Sequence, residues 1–420
     1  MFLRTFFKRQ KMSDISKVIK SISEIVKFDS SQQPPLAGKP FGEGAAKCLD
    51  YFLTLAESFG FKTVNYDNYV GEVIFGEGEE FAILAHLDVV PAGSGWTHDP
   101  FGGETDYINN KIWGRGTMDD KGPAVIALYC LKALKDEGFA PRKKIKLIVG
   151  CNEESGWECI KYYNQHAHMP ETGFSPDADF PVIYAEKGIL QLRLFFPTKE
   201  KIFGGERPNM VCDYCEAVAP LDKDKLKRYN LTYENGKVIS RGKSAHGSTP
   251  ELGINAIAPV LLYLGLGEMH SLLFEDGFGL GKFRDVTGKL TFSPNVIEGG
   301  AVICDIRYPA TYKKEDVLAA IEAKGIKYEE MHFQLPLYND KECELIKTLC
   351  GVYNEVTGKS VSPIAIGGGT YARALKCGAA FGPEEEGEEN TIHKPNEYIT
   401  FEKIEKCLNI YKLAIQRLCG

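Results

Sequence analysis

The chain has 420 residues, of which 44% are hydrophobic and 25% are charged, and its formal net charge is -7 at pH 7. This length exceeds what one ordinary hydrophobic core organises and is sufficient for two domains. The composition is typical of a soluble globular protein. A negative net charge without a basic patch excludes nucleic acid as a partner, because phosphate binding depends on clustered Lys and Arg.

The chain begins MFLRTFFKRQKM, which mixes apolar and basic residues. Arg4 and Lys8 interrupt the apolar runs too early for a signal peptide or a membrane span, so no membrane partner is expected. We expect residues 1–11 to be disordered, and a helix with Ser13 as N-cap is predicted from Met12.

The twelve cysteines are scattered and follow no secretory signal. Reduced thiols in a cytoplasmic protein are therefore expected. Cys212 and Cys215 form the only CxxC, and without a second pair we interpret them as two strand residues rather than zinc ligands.

The first part of the chain alternates helices and strands. Helical spacing from Gly42 to Phe59 precedes an apolar strand in EFAILAHLDVV. The segment DDKGPAVIALYCLKALKDEG then predicts a helix that ends at Gly138, followed by a buried strand in KKIKLIVGC. Strand, helix and strand in this order indicate a largely parallel sheet covered on both faces.

After Gly188 the pattern changes to alternating strands, with a hairpin signal at Asn235-Gly236 and two predicted helices, 255–265 and 313–324. The segments KECELIKTLCGVYNEVTG and FEKIEKCLNIYKLAIQRL return to the helical style of the first part, and EEEGEEN between them is predicted to be a solvated loop. We therefore predict one α/β domain, residues 1–188 and 336–420, interrupted by an α+β domain of residues 189–335.

Several polar side chains follow the predicted strands of the first part. In open α/β sheets, sites form beyond the carboxyl ends of the strands. His86 and Asp88 are two residues apart on an extended segment and point the same way, which suggests His86 as a metal ligand and Asp88 as the group that orients its ring. A histidine with an ordinary hydrogen bond near a strand end is the alternative.

Two pairs of adjacent carboxylates offer further ligands. Asp119 and Asp120 begin a helix, where carboxylates are common as caps; this interpretation suits Asp120, whereas Asp119 suits the bridging position of a two-metal site. The side chains of Glu153 and Glu154 diverge on extended backbone, so one can bind metal while the other acts as general base. Plain loop charges are the alternative for this pair.

Asp177 in FSPDADFPV and His393 in NTIHKPNEYI complete the set of candidate ligands. Imidazole and carboxylate ligands together suit two Zn²⁺ ions, with Mn²⁺ or Co²⁺ as alternatives.

The segments HLDVVPAG, GRGTMDDKGP, NEESG, FSPDADFP, RPNMV, SAHGSTPELGINA and GGGTYARAL together resemble the co-catalytic zinc peptidases, which include aminoacylase, carboxypeptidase G2, succinyl-diaminopimelate desuccinylase and the carnosinases. The bacterial dipeptidase V branch is the most similar. The resemblance extends over nearly the whole chain after Met12. It implies an α/β fold with a mixed, largely parallel sheet flanked by helices and an inserted α+β, ferredoxin-like lid domain.

The resemblance also implies a site for two divalent metal ions whose ligands are His86, Asp119, Glu154, Asp177 and His393. Asp119 then bridges the two ions. Glu153 becomes the general base, and Asp88 supports His86.

In the inserted domain, the resemblance implies that His246 stabilises the tetrahedral oxyanion and that Asn209 lies near the same atom. The groups that hold the substrate's carboxylate are then Arg307, Gly367, Gly368, Gly369 and Thr370. The residues alone favour a polar loop residue for His246, a surface ion pair for Arg307 and a tight turn for the glycines. The inserted domain is shorter than in the dipeptidase V branch, which leaves open whether His246 acts within a monomer or is delivered by a partner subunit in a homodimer.

The function predicted from the resemblance is hydrolysis of short peptides with free amino and carboxyl termini by a dinuclear metal-dependent dipeptidase. An N-acyl-amino-acid deacylase needs the same metals and base and is one alternative. A catalytically inactive metal-binding or peptide-binding relative is another, although such a protein needs neither Glu153 nor His246.

Overall fold

A computed structural model describes residues 15–420, so the expectations for residues 1–11 and for Ser13 lie outside the described residues. The helices are 15–26 (α1), Glu43–Ser58 (α2), Lys121–Asp136 (α3), Glu158–His166 (α4), Lys223–Tyr229 (α5), Ile257–Tyr263 (α6), Gly267–Phe274 (α7), Lys314–Glu322 (α8), Glu344–Thr357 (α9) and Phe401–Cys419 (α10). Short 3₁₀ turns span Pro250–Leu252, Leu280–Lys282 and Tyr371–Ala374.

The strands of the first half are Lys62–Tyr66 (β1), Val70–Phe75 (β2), Glu79–His86 (β3), Glu104–Asp106 (β4), Lys111–Trp113 (β5), Lys143–Gly150 (β6), Thr172–Ser175 (β7), Ala178–Asp179 (β8), Ile183–Glu186 (β9), Gly188–Phe195 (β10), Ile202–Gly204 (β11) and Tyr214–Val218 (β12). Those of the second half are Thr232–Glu234 (β13), Lys237–Arg241 (β14), Arg284–Asp285 (β15), Gly288–Lys289 (β16), Thr291–Glu298 (β17), Ala301–Tyr308 (β18), Lys327–Gln334 (β19), Leu337–Tyr338 (β20), Ile364–Ile366 (β21), Cys377–Ala380 (β22), Pro383–Glu384 (β23) and Tyr398–Thr400 (β24).

The chain divides into two compact units. The first contains the chain up to Tyr184 together with Asn339–Ile364 and Thr370–Gly420, and the second contains Ala185–Tyr338 and Ala365–Gly369. These divisions fall within four residues of the domain limits expected at 188 and 335.

The first unit contains a mixed sheet with the strand order β1-β2-β6-β3-β7-β22. Parallel pairing joins the central strands β6, β3, β7 and β22. The edge strand β1 is antiparallel to β2, and β2 is antiparallel to β6. The last six residues of both β3 and β6 are buried, as expected for parallel strands that are covered on both faces. The predicted α/β fold with a mixed sheet is therefore confirmed, and its parallel part is the central four strands.

The helices of this unit pack onto the sheet and onto one another. Helix α2 packs against β1 and β2, α3 packs against β3 and β6, and α10 packs against α3 and α9. Pro123 lies in the first turn of α3, where its missing N–H is not needed. The predicted helices 42–59 and 119–138 correspond to α2 and α3, which begin one and two residues later and end one and two residues earlier.

The second unit contains an antiparallel sheet of eight strands in the order β13-β14-β12-β11-β17-β18-β10-β19. Within it, the order β19-β10-β18-β17, with helices between β10 and β17 and between β18 and β19, is that of a ferredoxin-like β-α-β-β-α-β unit. The predicted hairpin joins β13 and β14, where Asn235 and Gly236 have φ values of 52° and 78°. Positive φ at both positions is the type I′ geometry that favours Asn-Gly.

Three expectations differ from the structure. The predicted helix 255–265 is shorter, and a further helix, α7, follows it after the turn at Gly265. Cys212 precedes strand β12 rather than lying in it, although Cys212 and Cys215 are both in the hydrophobic core. The EEEGEEN segment is not simply solvated, because Glu385 and Glu388 form ion pairs with Lys406 and Lys403 of α10.

All twelve cysteines are free thiols. Across residues 15–420, no helix has the length and apolar character needed to cross a bilayer.

Candidate metal centre

Three of the five candidate ligands lie at the ends of three neighbouring parallel strands of the first unit. His86 is the last residue of β3 and lies opposite Gly150, the last residue of β6. Glu153 and Glu154 follow β6, and Asp177 follows β7. Since the carboxyl ends of parallel strands meet at one edge of a sheet, these side chains converge there.

One group of possible ligand atoms is formed by His86, Asp119 and Asp177, whose atoms lie within 4.8 Å of one another. Nε2 of His86 is 2.9 Å from Oδ1 of Asp119 and 3.6 Å from Oδ2 of Asp177. The imidazole is 1% exposed, so this group is enclosed by protein.

A second group is formed by Asp119, Glu154 and His393 within the same 4.8 Å limit. Nε2 of His393 is 2.9 Å from Oδ2 of Asp119 and 3.0 Å from Oε1 of Glu154. The His393 side chain is 49% exposed, so the second group is open to solvent on this side. Asp119 contributes one oxygen to each group, which is the arrangement of a bridging carboxylate.

A main-chain carbonyl group fixes the orientation of the His86 ring. Its Nδ1 is 3.0 Å from the carbonyl oxygen of Asp88 and donates to it, which directs Nε2 at the carboxylates. The carboxylate of Asp88 is 3.6 Å from Nδ1 and accepts instead the N–H groups of Glu153 and Glu154, at 2.9 and 3.0 Å. Asp88 therefore supports His86 through its carbonyl, and its side chain holds the turn that carries both glutamates.

Asp120 does not act as the helix cap that the sequence suggested. Its side chain makes no capping hydrogen bond to α3, and its Oδ2 accepts the main-chain N–H of His86 at 3.1 Å. Asp119 and Asp120 are joined by a cis peptide bond. Asp119 lies in the candidate metal centre, whereas the side chain of Asp120 binds the main chain at the end of β3.

Several buried carboxylates lie close together, and they determine the protonation of the two histidines and of one another. Burial opposes a charge on His86, but the carboxylates of Asp119, Asp177 and Asp88 raise its pKa well above 6.5. Burial likewise opposes a charge on His393, and Asp119 and Glu154 nevertheless raise its pKa to about 11. Burial and neighbouring carboxylates raise the pKa values of Glu154 and Asp177, whereas the two histidines outweigh burial and lower that of Asp119.

This donor set fits divalent cations. Nε2 of His86 is buried 2.9 and 3.6 Å from oxygens of Asp119 and Asp177, but its direction to the oxygens of the described residues is not that of a hydrogen bond. A buried polar atom without a hydrogen bond and a cluster of buried carboxylates are both costly unless a cation compensates them. Two imidazoles and three carboxylates are ligands that zinc and manganese accept.

In the second unit, the predicted residues His246 and Asn209 lie in adjacent loops. Met210 and His246 form an antiparallel bridge, and the N–H of Gly247 donates to the carbonyl of Asn209 at 2.7 Å. Nδ1 of His246 is 2.7 Å from the hydroxyl of Ser248 and accepts the Ser248 N–H at 3.2 Å. With Nδ1 as acceptor, the proton of the neutral ring lies on Nε2.

Arg307 is not the surface ion pair that the residues alone favoured. Its side chain is 6% exposed, and its Nε and Nη2 lie 2.5 and 3.1 Å from the two carboxylate oxygens of the fully buried Asp305. Gln191 also donates to Asp305, at 3.1 Å. Gly367, Gly368 and Gly369 lie in the second unit, and Thr370, in the first, caps the 3₁₀ turn that follows by accepting the N–H of Ala372.

The sequence did not identify four other residues around the candidate centre. Trp157 donates its indole N–H to Oε1 of Glu153 at 3.2 Å, and the ring of Tyr371 lies edge-on to Trp157 and His86. Glu397 and Arg115 form a buried ion pair at 2.7 Å beside the loop of Asp119. Glu397 lies only four residues after His393, which is the one signal that could have pointed to it.

Comparison with known proteins identifies the family of this chain. The model of peptidase family M20/M25/M40 matches residues 82–417. The YtjP protein of Bacillus subtilis (strain 168) is 35% identical over 450 residues, covering 96% of this chain and 97% of its own. The Beta-Ala-Xaa dipeptidase of Lactobacillus delbrueckii subsp. lactis is 32% identical over 452 residues and covers 96% of each chain.

Among solved structures, human carnosine dipeptidase 1 has the same fold, with a TM-score of 0.60 at 12% identity, over 100% of this chain and 99% of that one. The match of the family model to most of the chain and the two relatives above 30% identity give one consistent assignment. The chain is a metallopeptidase and belongs to peptidase family M20/M25/M40.

Proposed function

We propose that this protein is a dinuclear metal-dependent dipeptidase that hydrolyses the peptide bond of short peptides with free amino and carboxyl termini. The observation that carries the proposal is the pair of three-residue ligand groups that share Asp119, with Glu153 adjacent to one of the ligands. Two ligand groups joined by one carboxylate suit two cations a few ångströms apart, which is the geometry of co-catalytic hydrolases.

In this proposal, His86 and Asp177 would hold one cation, Glu154 and His393 would hold the other, and Asp119 would contribute an oxygen to each. Zn²⁺ is the expected ion, with Mn²⁺ or Co²⁺ as alternatives. When bound, such cations polarise a carbonyl oxygen and acidify a water molecule towards neutral pH. The protein's contribution is a rigid set of oxygen and nitrogen atoms, of which His86 is fixed by the Asp88 carbonyl.

Glu153 is proposed to be the general base. Burial and the carboxylates of Asp177, Glu154 and Asp88 raise its pKa well above 4.5 against the opposing effect of His86, so it readily holds a proton. The Trp157 indole N–H fixes the position of one of its oxygens. Glu153 can therefore accept a proton from water and deliver it to the leaving amine.

The second unit is proposed to supply the groups that hold the substrate. His246 would donate its Nε2–H to the developing oxyanion, since its Nδ1 accepts the Ser248 amide. Arg307 has five N–H groups, of which Asp305 engages two, so the guanidinium retains donors for a substrate carboxylate. Asn209 and the loop of Gly367–Thr370 complete this proposed substrate site.

The proposal is tested with chelator-stripped protein. Zn²⁺ or Mn²⁺ is added back while bound metal and hydrolysis of dipeptides are measured together, with a β-alanyl dipeptide in the panel because one relative is a Beta-Ala-Xaa dipeptidase. Activity that returns as about two cations bind per chain is the expected result. Metal binding without turnover of any dipeptide, or faster cleavage of the N-acetylated form of the same dipeptide, would overturn it.

A cytoplasmic location is also proposed, and the twelve free thiols support it because disulfides are rare in reducing compartments. The oligomeric state is either a monomer or a homodimer. Light scattering during size-exclusion chromatography distinguishes the two, and mixing a His246→Ala variant with a Glu153→Ala variant tests a dimer further. Recovery of activity in the mixture would indicate that His246 acts on the partner subunit's site.

A further inference from the structure

The carboxylate of Glu397 is completely buried and lies beside the loop that presents Asp119. Its Oε1 accepts three main-chain N–H groups, from Gly116 at 3.0 Å, Met118 at 2.9 Å and Asp119 at 3.4 Å. The carbonyl of Glu397 accepts a fourth N–H, from Gly114 at 2.9 Å. One residue therefore receives four hydrogen bonds from the six-residue segment that ends at Asp119.

The second carboxylate oxygen of Glu397 is bound by Arg115, whose Nη1 lies 2.7 Å away. Arg115 is itself 1% exposed, and its guanidinium lies over the ring of Trp96 at 5.2 Å. A buried carboxylate needs such a partner because desolvation of an unpaired charge is costly. Burial and the charge of Asp119 raise the pKa of Glu397 to about 7, whereas Arg115 and the Met118 N–H favour its charged form. Charged acceptors form stronger hydrogen bonds to main-chain N–H groups than neutral ones do.

Glu397 also anchors the segment that carries His393. Both His393 and Asn396 have left-handed backbone, with φ values of 61° and 60°. This conformation is uncommon for residues other than glycine, although Asn and His adopt it more readily than most. Asn396 is held by the N–H groups of Thr97 and His98, at 2.8 and 3.3 Å, and Glu397 is held by the Asp119 loop.

The same residue thus joins the two elements that meet at the second ligand group. Asp119 is on one side of this connection and His393 on the other, and their Oδ2 and Nε2 atoms are 2.9 Å apart. His393 is half exposed, so its position depends on the anchoring of its loop more than on side-chain packing. A displacement of either element would change the distance between two ligands of the same cation.

We infer that Glu397 is a positioning residue that sets the affinity of the Asp119–Glu154–His393 group for its cation, acting through the main-chain N–H groups of residues 116–119. This inference rests on the proposed function, since it takes the group to be a cation site. Glu397 touches none of the ligand atoms and has no role in the chemical step. Groups that orient metal ligands in this way typically change metal affinity by about 10- to 100-fold when altered.

The test compares cation binding by calorimetry and by metal analysis in the full-length protein, with Mn²⁺ and Zn²⁺ as probes. In Glu397→Gln, the side chain keeps its volume, but its NH₂ group must face either the loop amides or Arg115, both of which are donors. We expect about 10- to 100-fold weaker binding of at least one cation, and a stoichiometry below that of the wild type at the metal concentration that saturates it.

The matched control is Glu72→Gln. Glu72 is another carboxylate with 2% exposure; it accepts a hydrogen bond from the Tyr163 hydroxyl and lies 3.6 Å from Nζ of Lys146. Its replacement removes a buried charge of the same kind away from the candidate metal centre. It should lower the melting temperature while leaving both cations bound with wild-type affinity. Equal metal affinities in the two variants would overturn the inference, because Glu397 would then be only a structural ion pair.

A second variant covers the case in which Glu397→Gln does not fold. Glu397→Asp retains the charge beside Arg115 but is one methylene shorter, so it cannot reach both Arg115 and the loop amides at their present distances. Wild-type metal affinity in folded Glu397→Asp would also refute the inference. If the wild-type protein itself binds no Mn²⁺ or Zn²⁺, the proposed function fails instead, so the two failures are distinguishable.

Discussion

The side chain of Asp88 gives a sharp test of how the candidate centre is built. It is 2% exposed, and its two oxygens accept the N–H groups of Glu153 and Glu154. In Asp88→Asn only one oxygen remains, and the NH₂ group faces a main-chain N–H. A hydrogen bond to a charged group contributes about 1.5–3 kcal/mol, and each ~1.4 kcal/mol corresponds to a tenfold change.

The turn that carries the proposed general base, Glu153, and one candidate ligand, Glu154, would have to be held without this contribution. We therefore expect kcat/KM for a dipeptide to fall by about 10- to 100-fold at saturating metal. The substitution leaves the carbonyl of Asp88 unchanged. The orientation of His86, and the binding of the cation proposed for the group that contains His86, should therefore be retained. Steady-state kinetics on metal-saturated protein, with bound metal measured on the same samples, provides the readout.

Asp222→Asn is the matched control for this experiment. Asp222 also accepts a main-chain N–H through its carboxylate, from Lys225 at 3.0 Å, but it caps α5 in the second unit. Its replacement should leave kcat/KM unchanged. If folded Asp88→Asn has the same kcat/KM as this control, the carboxylate does not hold the Glu153–Glu154 turn, and the reasoning is wrong.

Three further predictions follow from the same geometry. Glu153→Gln should lower kcat by about 10²- to 10⁴-fold with both cations still bound, as measured by kinetics and metal analysis; loss of metal would instead make Glu153 a ligand. Cation binding should release protons, because the carboxylates hold the pKa of His393 at about 11 and that of His86 above 6.5, whereas a ligand imidazole must be neutral. The affinity for the cations should therefore rise as the pH increases from 6.5 towards 11. The heat of cation binding, measured by calorimetry at pH 8, should depend on the ionisation enthalpy of the buffer. Identical heats in all buffers would contradict the expected protonation of the two histidines. His246→Ala should reduce kcat by about 10²- to 10³-fold with little change in metal binding, and an unchanged kcat would remove His246 from the oxyanion site.

Some of the metal centre could be predicted from short segments of sequence. His86 ends the apolar strand β3, and Glu153 and Glu154 follow the apolar strand β6; such strands are recognisable because burial on both faces demands continuous hydrophobic residues. The short strand before Asp177, with the sequence TGFS, lacks this pattern. Parallel pairing then brings their ends to one edge of the sheet. The convergence of these side chains is thus a consequence of local pattern and simple topology.

Other contacts of the centre were not predictable because they join residues that are distant in the chain. Glu397 binds the loop of Asp119 from 278 residues away, and no local pattern marks a single Glu as an acceptor of main-chain N–H groups. Asp120 illustrates the same limit. Its position at the start of a helix is typical of a cap, but the N–H of His86, 34 residues earlier, competes successfully for its carboxylate.

Sequence alone therefore indicated the main helices and strands and an α/β fold, because hydrophobic periodicity and turn residues act locally, and the long motifs that carry the family resemblance supplied the candidate ligands. The tertiary structure decided which atom of each residue forms each contact. The carbonyl oxygen of Asp88 orients the His86 ring, and the Asp88 carboxylate holds the turn that carries Glu153 and Glu154. Such choices depend on hydrogen-bond directions within a few tenths of an ångström between distant segments, and only the packed fold sets them.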